Sequence, residues 1–294
     1  MQKPKWIIFI AFPIFVGLTS ASIGNYLPFS GLYPIPEKTP EPVNIISKFT
    51  YPLHTPVTIT FKGNLGREQV YLTNTGTVIK IDLKFLNTTQ VVFGGPLYNK
   101  RYIYTETKFY WTNDLKGAAY TTVNGRNGAP LEVAMIYYNE EYGSHYNSLN
   151  YRDGIVETLV RINVGSKHNP DFEPFLKAMK TVQKPGPPTE IKLYDAFKWY
   201  YNVPQTIGYF VYPGSQFNET SGGTFYCSTT IVFDKSKLQF ISEKQFREAF
   251  LELQDKNGKQ LINQRDQNPQ GFRPVARARK IKRIVSNKFY PSVI

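Results

Sequence analysis

Cysteine is nearly missing from this chain: Cys227 stands alone among 294 residues. One thiol cannot close an intramolecular disulfide, so a disulfide-stapled scaffold is excluded. Cys227 sits in the apolar run 225–233, where it reads as a small buried hydrophobe, with an intermolecular bridge as the alternative. No Gly/Ser linker and no repeat divides the sequence, so one domain is expected. The lack of low-complexity tracts counts against a purely structural matrix role. Long apolar runs are missing too, apart from Trp6–Leu18 near the start. That run follows Lys3 and Lys5, carries Pro13, is short for a membrane span of about 20 residues, and precedes Thr19-Ser20-Ala21-Ser22. This is the order of a secretory signal peptide, with cleavage expected near Ala21 and a membrane anchor as the rival reading. The mature chain is then expected to be extracellular, with no membrane span.

Acid is also scarce. Taking Lys3 and Lys5 from the 35 Lys and Arg leaves 33 against 22 Asp and Glu, a formal charge of +11. Arg273, Arg277, Arg279, Lys280, Lys282, Arg283 and Lys288 crowd one segment near the end. For an extracellular protein this favours an acidic glycan or an acidic protein surface over nucleic acid, and a solvated tail with no partner is the alternative. Two sequons, at Asn87 and Asn218, suit the same compartment.

What the chain has in quantity is aromatic residues, 15% of the total, and alternating apolar patterns. Strands are predicted at 57–61, 70–72 and 78–85, with Asn74-Thr75-Gly76 as a turn, then at 91–97, 102–111, 131–139, 155–164, 208–212 and 225–233. A helix is predicted from Pro170 at its first position, with Phe172, Phe175, Leu176, Met179 and Val182 on one face. Ser242 and Gln245 form a capping box for a second helix to about Gln254, with Phe246, Phe250 and Leu253 inward. The domain plan is a leader 1–21, an extended proline-rich arm 22–39, one domain 40–284 and a tail 285–294.

From Tyr104 to Trp111 the side chains alternate, so Tyr104, Glu106, Lys108 and Tyr110 are expected on one face and Phe109 and Trp111 on the other, which is core. Glu132 and Ala134 share a face of a strand expected to lie alongside. Charges in such aromatic strands must reach water or pair, because an isolated buried ion costs several kcal/mol. This face is therefore expected to line a cleft or a paired polar cluster.

The same stretch resembles the metal-binding centre of the α-carbonic anhydrases. Phe93-Gly94-Gly95-Pro96-Leu97, Tyr104 to Trp111, Gly117, Val123-Asn124-Gly125, Leu131-Glu132-Val133-Ala134 and Tyr138-Asn139 follow that family's order. So do Pro42-Val43-Asn44-Ile45, Leu72-Thr73-Asn74-Thr75-Gly76-Thr77, Asp153-Gly154-Ile155, Val164-Gly165, Tyr212-Pro213-Gly214-Ser215, Asn263 with Arg265, Pro269, Arg273 and Val275. The resemblance implies a mainly β (α+β), ten-stranded, largely antiparallel twisted sheet with peripheral helices and a conical cleft.

It also implies a zinc ion on three histidines, whose hydroxide attacks carbon dioxide. The matching positions hold Lys108, Tyr110 and Ala134, and the three histidines, His54, His145 and His168, fall on none of them. Thr77 stands at the proton-shuttle position and Phe217 at that of the hydroxide-orienting threonine, while residues 118–121 offer no carboxylate for its partner. Glu106 and Glu132 stand where the family supports its ligands. The resemblance is thus to an acatalytic member with no zinc and no other cofactor, and Lys108 is expected within about 4 Å of Glu106 or Glu132, the Tyr110 hydroxyl nearby. Either these groups are a neutralised relic, or the cleft is repurposed with Lys108 facing an anion. A secreted binding protein is the leading class. The alternatives are an enzyme, either with different chemistry or with hydration through an unrecognised metal site, and a matrix protein.

Overall fold

A computed structural model describes residues 44–45, 57–62, 69–84, 89–115, 117, 121–124, 129–151, 153–201, 209–217, 224–233, 240–261 and 279–280. All fall within the compact unit Ile35–Ile294. The strands are β1 (Asn44–Ile45), β2 (Val57–Lys62), β3 (Gln69–Asn74), β4 (Ile79–Lys84), β5 (Thr89–Gly94), β6 (Tyr102–Trp111) and β7 (Thr122–Val123). They continue as β8 (Leu131–Asn139), β9 (Ile155–Gly165), β10 (Thr189–Ile191), β11 (Tyr209–Phe217), β12 (Thr224–Phe233), β13 (Phe240–Ser242) and β14 (Arg279–Lys280). Among the described residues four α-helices accompany them: α1 (His145–Ser148), α2 (Glu173–Met179), α3 (Leu193–Tyr201) and α4 (Glu243–Phe246).

One 12-stranded sheet runs in the order β10-β3-β4-β6-β8-β9-β12-β11-β14, with β13 on β9 and a β2–β5 arm on β6. Its pairings are antiparallel except β12–β9 and β13–β9. The sheet is thus wider than the ten strands expected, through short additions such as β10 and β14. β1 and β7 form a separate parallel pair.

The face carrying Phe109 and Trp111 is core. Phe109 stacks on Phe175 of α2 at 4.8 Å between centroids, and Phe250, after α4, lies 5.4 Å from Trp111. Apolar side chains at helical spacing thereby bury their stripe against the pleated sheet. Phe172, Phe175, Leu176, Met179 and Val182 are all buried, as their spacing predicts. Pro170, however, belongs to a turn: Asn169 accepts from the Asp171 backbone N–H at 3.0 Å, and the helix starts three residues later. The side-chain amide competes with helix formation there.

Other corrections have equally local causes. The strand expected at 91–97 stops at Gly94, because Gly94 and Gly95 adopt φ of 78° and 55°, and a 3-10 turn follows over Gly95–Leu97. The second helix begins at the Ser242 capping box as expected, yet continues as a π-turn over Arg247–Leu251 and ends before Gln254. α3 was not predicted, although Ala196, Phe197 and Tyr200 are buried at the three-and-four spacing of a helical stripe. Ser242→Ala should lose about 1 kcal/mol, read as a lowered denaturant midpoint at unchanged slope.

Candidate functional site

The opposite face of the sheet carries the residues singled out above. A register shift between Tyr104 and Glu106 breaks the alternation of β6. The bulge turns Tyr104 to the core face, where its hydroxyl meets Thr107 Oγ1 at 2.8 Å and donates to the Ile81 carbonyl at 3.1 Å. Tyr104 therefore does not share a face with Glu106, Lys108 and Tyr110. Those three do point the same way, because Lys108 pairs with Ala134 and Tyr110 with Glu132 across β6–β8.

The row continues from Ala134 to Leu159, Val232 and Phe210 on β9, β12 and β11. Tyr110, Ala134, Leu159, Phe210 and Val232 pack with Ile45 into one apolar cluster, with Val123 against it. The β1–β7 pair supplies Ile45 and Val123, so it closes this part of the face with hydrocarbon. The Tyr110 ring is thus part of an apolar plug.

Lys108 Nζ lies 3.1 Å from Glu106 Oε1, both side chains about 15% exposed. Of the two partners expected for Lys108, the chain uses Glu106. Beside them on β4, Lys80 Nζ lies 3.1 Å from Asp82 Oδ2, and the β4–β6 register sets Lys80 against Lys108 and Asp82 against Glu106. His145, the first residue of α1, comes close enough to feel the charges of both Glu106 and Lys108. Burial is the largest cause lowering its pKa, and its Nε2 is buried without a hydrogen-bond partner.

Glu132 belongs to a second, fully buried group. Both carboxylate oxygens accept from the Thr121 backbone N–H, at 3.0 and 3.1 Å. Arg161 Nε, opposite on β9, lies 3.5 Å from Oε1, an electrostatic contact without hydrogen-bond geometry. Burial pushes the carboxyl up to about 7, although Arg161 and the Thr121 N–H hold it down. Glu157, also buried, accepts from Thr230 Oγ1 at 3.4 Å.

The model of the eukaryotic-type carbonic anhydrase family matches residues 37–287. The chain belongs to that family. The strand-rich, largely antiparallel sheet agrees with that fold. Among the described residues no three His, Cys, Asp or Glu side chains are grouped to hold a metal ion. No described helix is long and apolar enough to cross a membrane.

The remaining site residues are scattered. Thr77 is exposed in the β3–β4 turn, its hydroxyl 3.0 Å from that of Thr75. The backbone of Phe217 ends β11 opposite Thr224. Arg279 and Lys280 form β14 against Val211 and Phe210, so this part of the basic segment is a strand. Arg277, Lys282, Arg283, Asn87 and Asn218 lie outside the described residues.

Sequence reasoning missed His145, Glu157 and Arg161 as members of this face. Glu157 and Arg161 were within reach, since with Leu159 they alternate along a strand already predicted. No local signal marks His145, which the return after β8 brings to β6.

Proposed function

We propose that this carbonic anhydrase domain does not hydrate carbon dioxide and acts as a secreted binding protein. The observation that carries the reading is the Lys108–Ala134 cross-strand pair, with Tyr110 packed in the apolar cluster beside it. Zinc in this fold needs three neutral imidazoles converging on one point. The donor set present does not fit the ion: an ammonium committed to Glu106, a phenol among aliphatic side chains and a methyl group. Compensation would need a new ligand set, and hydrocarbon from Ile45 and Val123 borders the same place.

The leader expected over 1–21 and the two sequons support secretion. The basic segment from Arg277 to Arg283 suits an acidic partner, glycan or protein, at a second place on the molecule. An enzyme of other chemistry would require a nucleophile, a base and a group orienting it within hydrogen-bond reach. The described face brings no such set together. Stopped-flow hydration of carbon dioxide by the purified protein should match the uncatalysed rate, and turnover abolished by a sulfonamide would refute the reading.

A further inference from the structure

The β4–β6 register sets lysine against lysine and carboxylate against carboxylate, Lys80 opposite Lys108 and Asp82 opposite Glu106. Like charges directly across an antiparallel pair destabilise it. Each ion pair instead forms along its own strand. A relic needing only neutrality gains nothing from two such pairs side by side. Local rules broken without a structural gain are a mark of functional surface.

The strip is open to water: Lys80 and Asp82 keep 31% and 26% exposure, and the inner pair about half that. It presents two ammonium donors and two carboxylate acceptors, with His145 Nε2 buried and unpartnered beside the inner pair. With the imidazole neutral the sum of charges is zero. An anion entering here would meet Asp82 and Glu106, and a cation would meet Lys80 and Lys108. A neutral polyol meets neither obstacle, because each hydroxyl accepts from an ammonium while donating to a carboxylate. Hydroxyls placed between the two pairs also relieve the lysine–lysine and carboxylate–carboxylate repulsion.

We propose that Lys80, Asp82, Glu106, Lys108 and His145 form a binding site for a neutral saccharide. This rests on the domain being a binding protein and names its ligand class; it also replaces the expectation that Lys108 faces an anion, since that charge is matched by Glu106. Acidic glycans are left to the basic segment.

The test is calorimetric titration of the full-length secreted protein with maltohexaose, cellohexaose, laminarihexaose and chitohexaose, beside a heparin hexasaccharide. At least one neutral oligosaccharide should bind with Kd at or below about 1 mM. The double change Glu106→Gln with Lys108→Met should weaken it by about tenfold or more, and His145→Ala by about fivefold, with heparin binding unchanged in both. Thermal midpoints measured alongside separate lost binding from lost folding, and His145→Ala keeps the test valid if the double variant is unstable. Failure of all four neutral probes, or equal affinity in the variants, overturns the inference. Hydration activity in the same preparation would instead overturn the non-catalytic reading, whatever the saccharide result.

Discussion

Arg161→Leu should destabilise the protein more as the pH rises, by about 1–2 kcal/mol near pH 5 and about 3–5 kcal/mol near pH 9. The reason lies in Glu132, whose carboxyl is fully buried and pushed from 4.5 up to about 7 by burial, against the pull of Arg161 and the Thr121 N–H. A carboxyl whose folded pKa is raised binds its proton more tightly when folded. Its favourable contribution is complete below about pH 4.5 and disappears as the pH climbs to about 7, a loss of about 3 kcal/mol. Removing the guanidinium raises the folded pKa further, so the decline continues to higher pH and ends lower. At pH 5 the carboxyl is neutral and the variant loses mainly the contacts of the Arg161 stem. At pH 9 it leaves a buried anion without its cation. Adding Glu132→Gln should flatten the dependence and recover most of the pH 9 loss. Urea unfolding at pH 5, 7 and 9 reads all of this, and a loss independent of pH would show that Arg161 acts only by packing.

Gly154→Ala should cost about 3 kcal/mol or more. A methyl group on Gly154 would stand 1.7 Å from the Ser148 carbonyl oxygen and 2.6 Å from its carbon. Backbone cannot yield as a flexible side chain does. Gly154 also accepts from the Asn139 N–H at 2.7 Å and donates to the Tyr151 carbonyl at 3.0 Å, closing the loop between β8 and β9 that contains α1. The clash must push α1 outward, and His145 with it. Circular dichroism melting should show the loss. Amide exchange should show the first opening around residues 144–151, and a variant as stable as the parent would mean that the loop repacks at no cost.

Much of this architecture is legible in the residues. Alternation located β3, β4, β6, β8 and β9 to within a residue or two, because a strand with one buried face must alternate. The capping box at Ser242 and Gln245 was readable for the same kind of reason: its hydrogen bonds are local. What alternation could not show is a bulge, and the one before Glu106 moved Tyr104 to the opposite face without any change in composition. The choice between Glu106 and Glu132 as the partner of Lys108 was also beyond the sequence. It depends on Arg161 arriving from β9, 29 residues after Glu132, to take up the second carboxylate. β10 and β14 are two or three residues long, too short to leave a periodic signal, and exist because neighbouring strands offer an edge.

We propose above all that the face carrying Lys108, Tyr110 and Ala134 does not hold zinc. This is tested most directly by elemental analysis of protein equilibrated with zinc near neutral pH and then dialysed against metal-free buffer. The expected result is far less than one zinc per chain, unchanged in Lys108→Ala, because an ion-paired lysine, a packed tyrosine ring and alanine provide no converging nitrogen donors. One zinc retained per chain would contradict the claim and require a ligand set elsewhere in the domain.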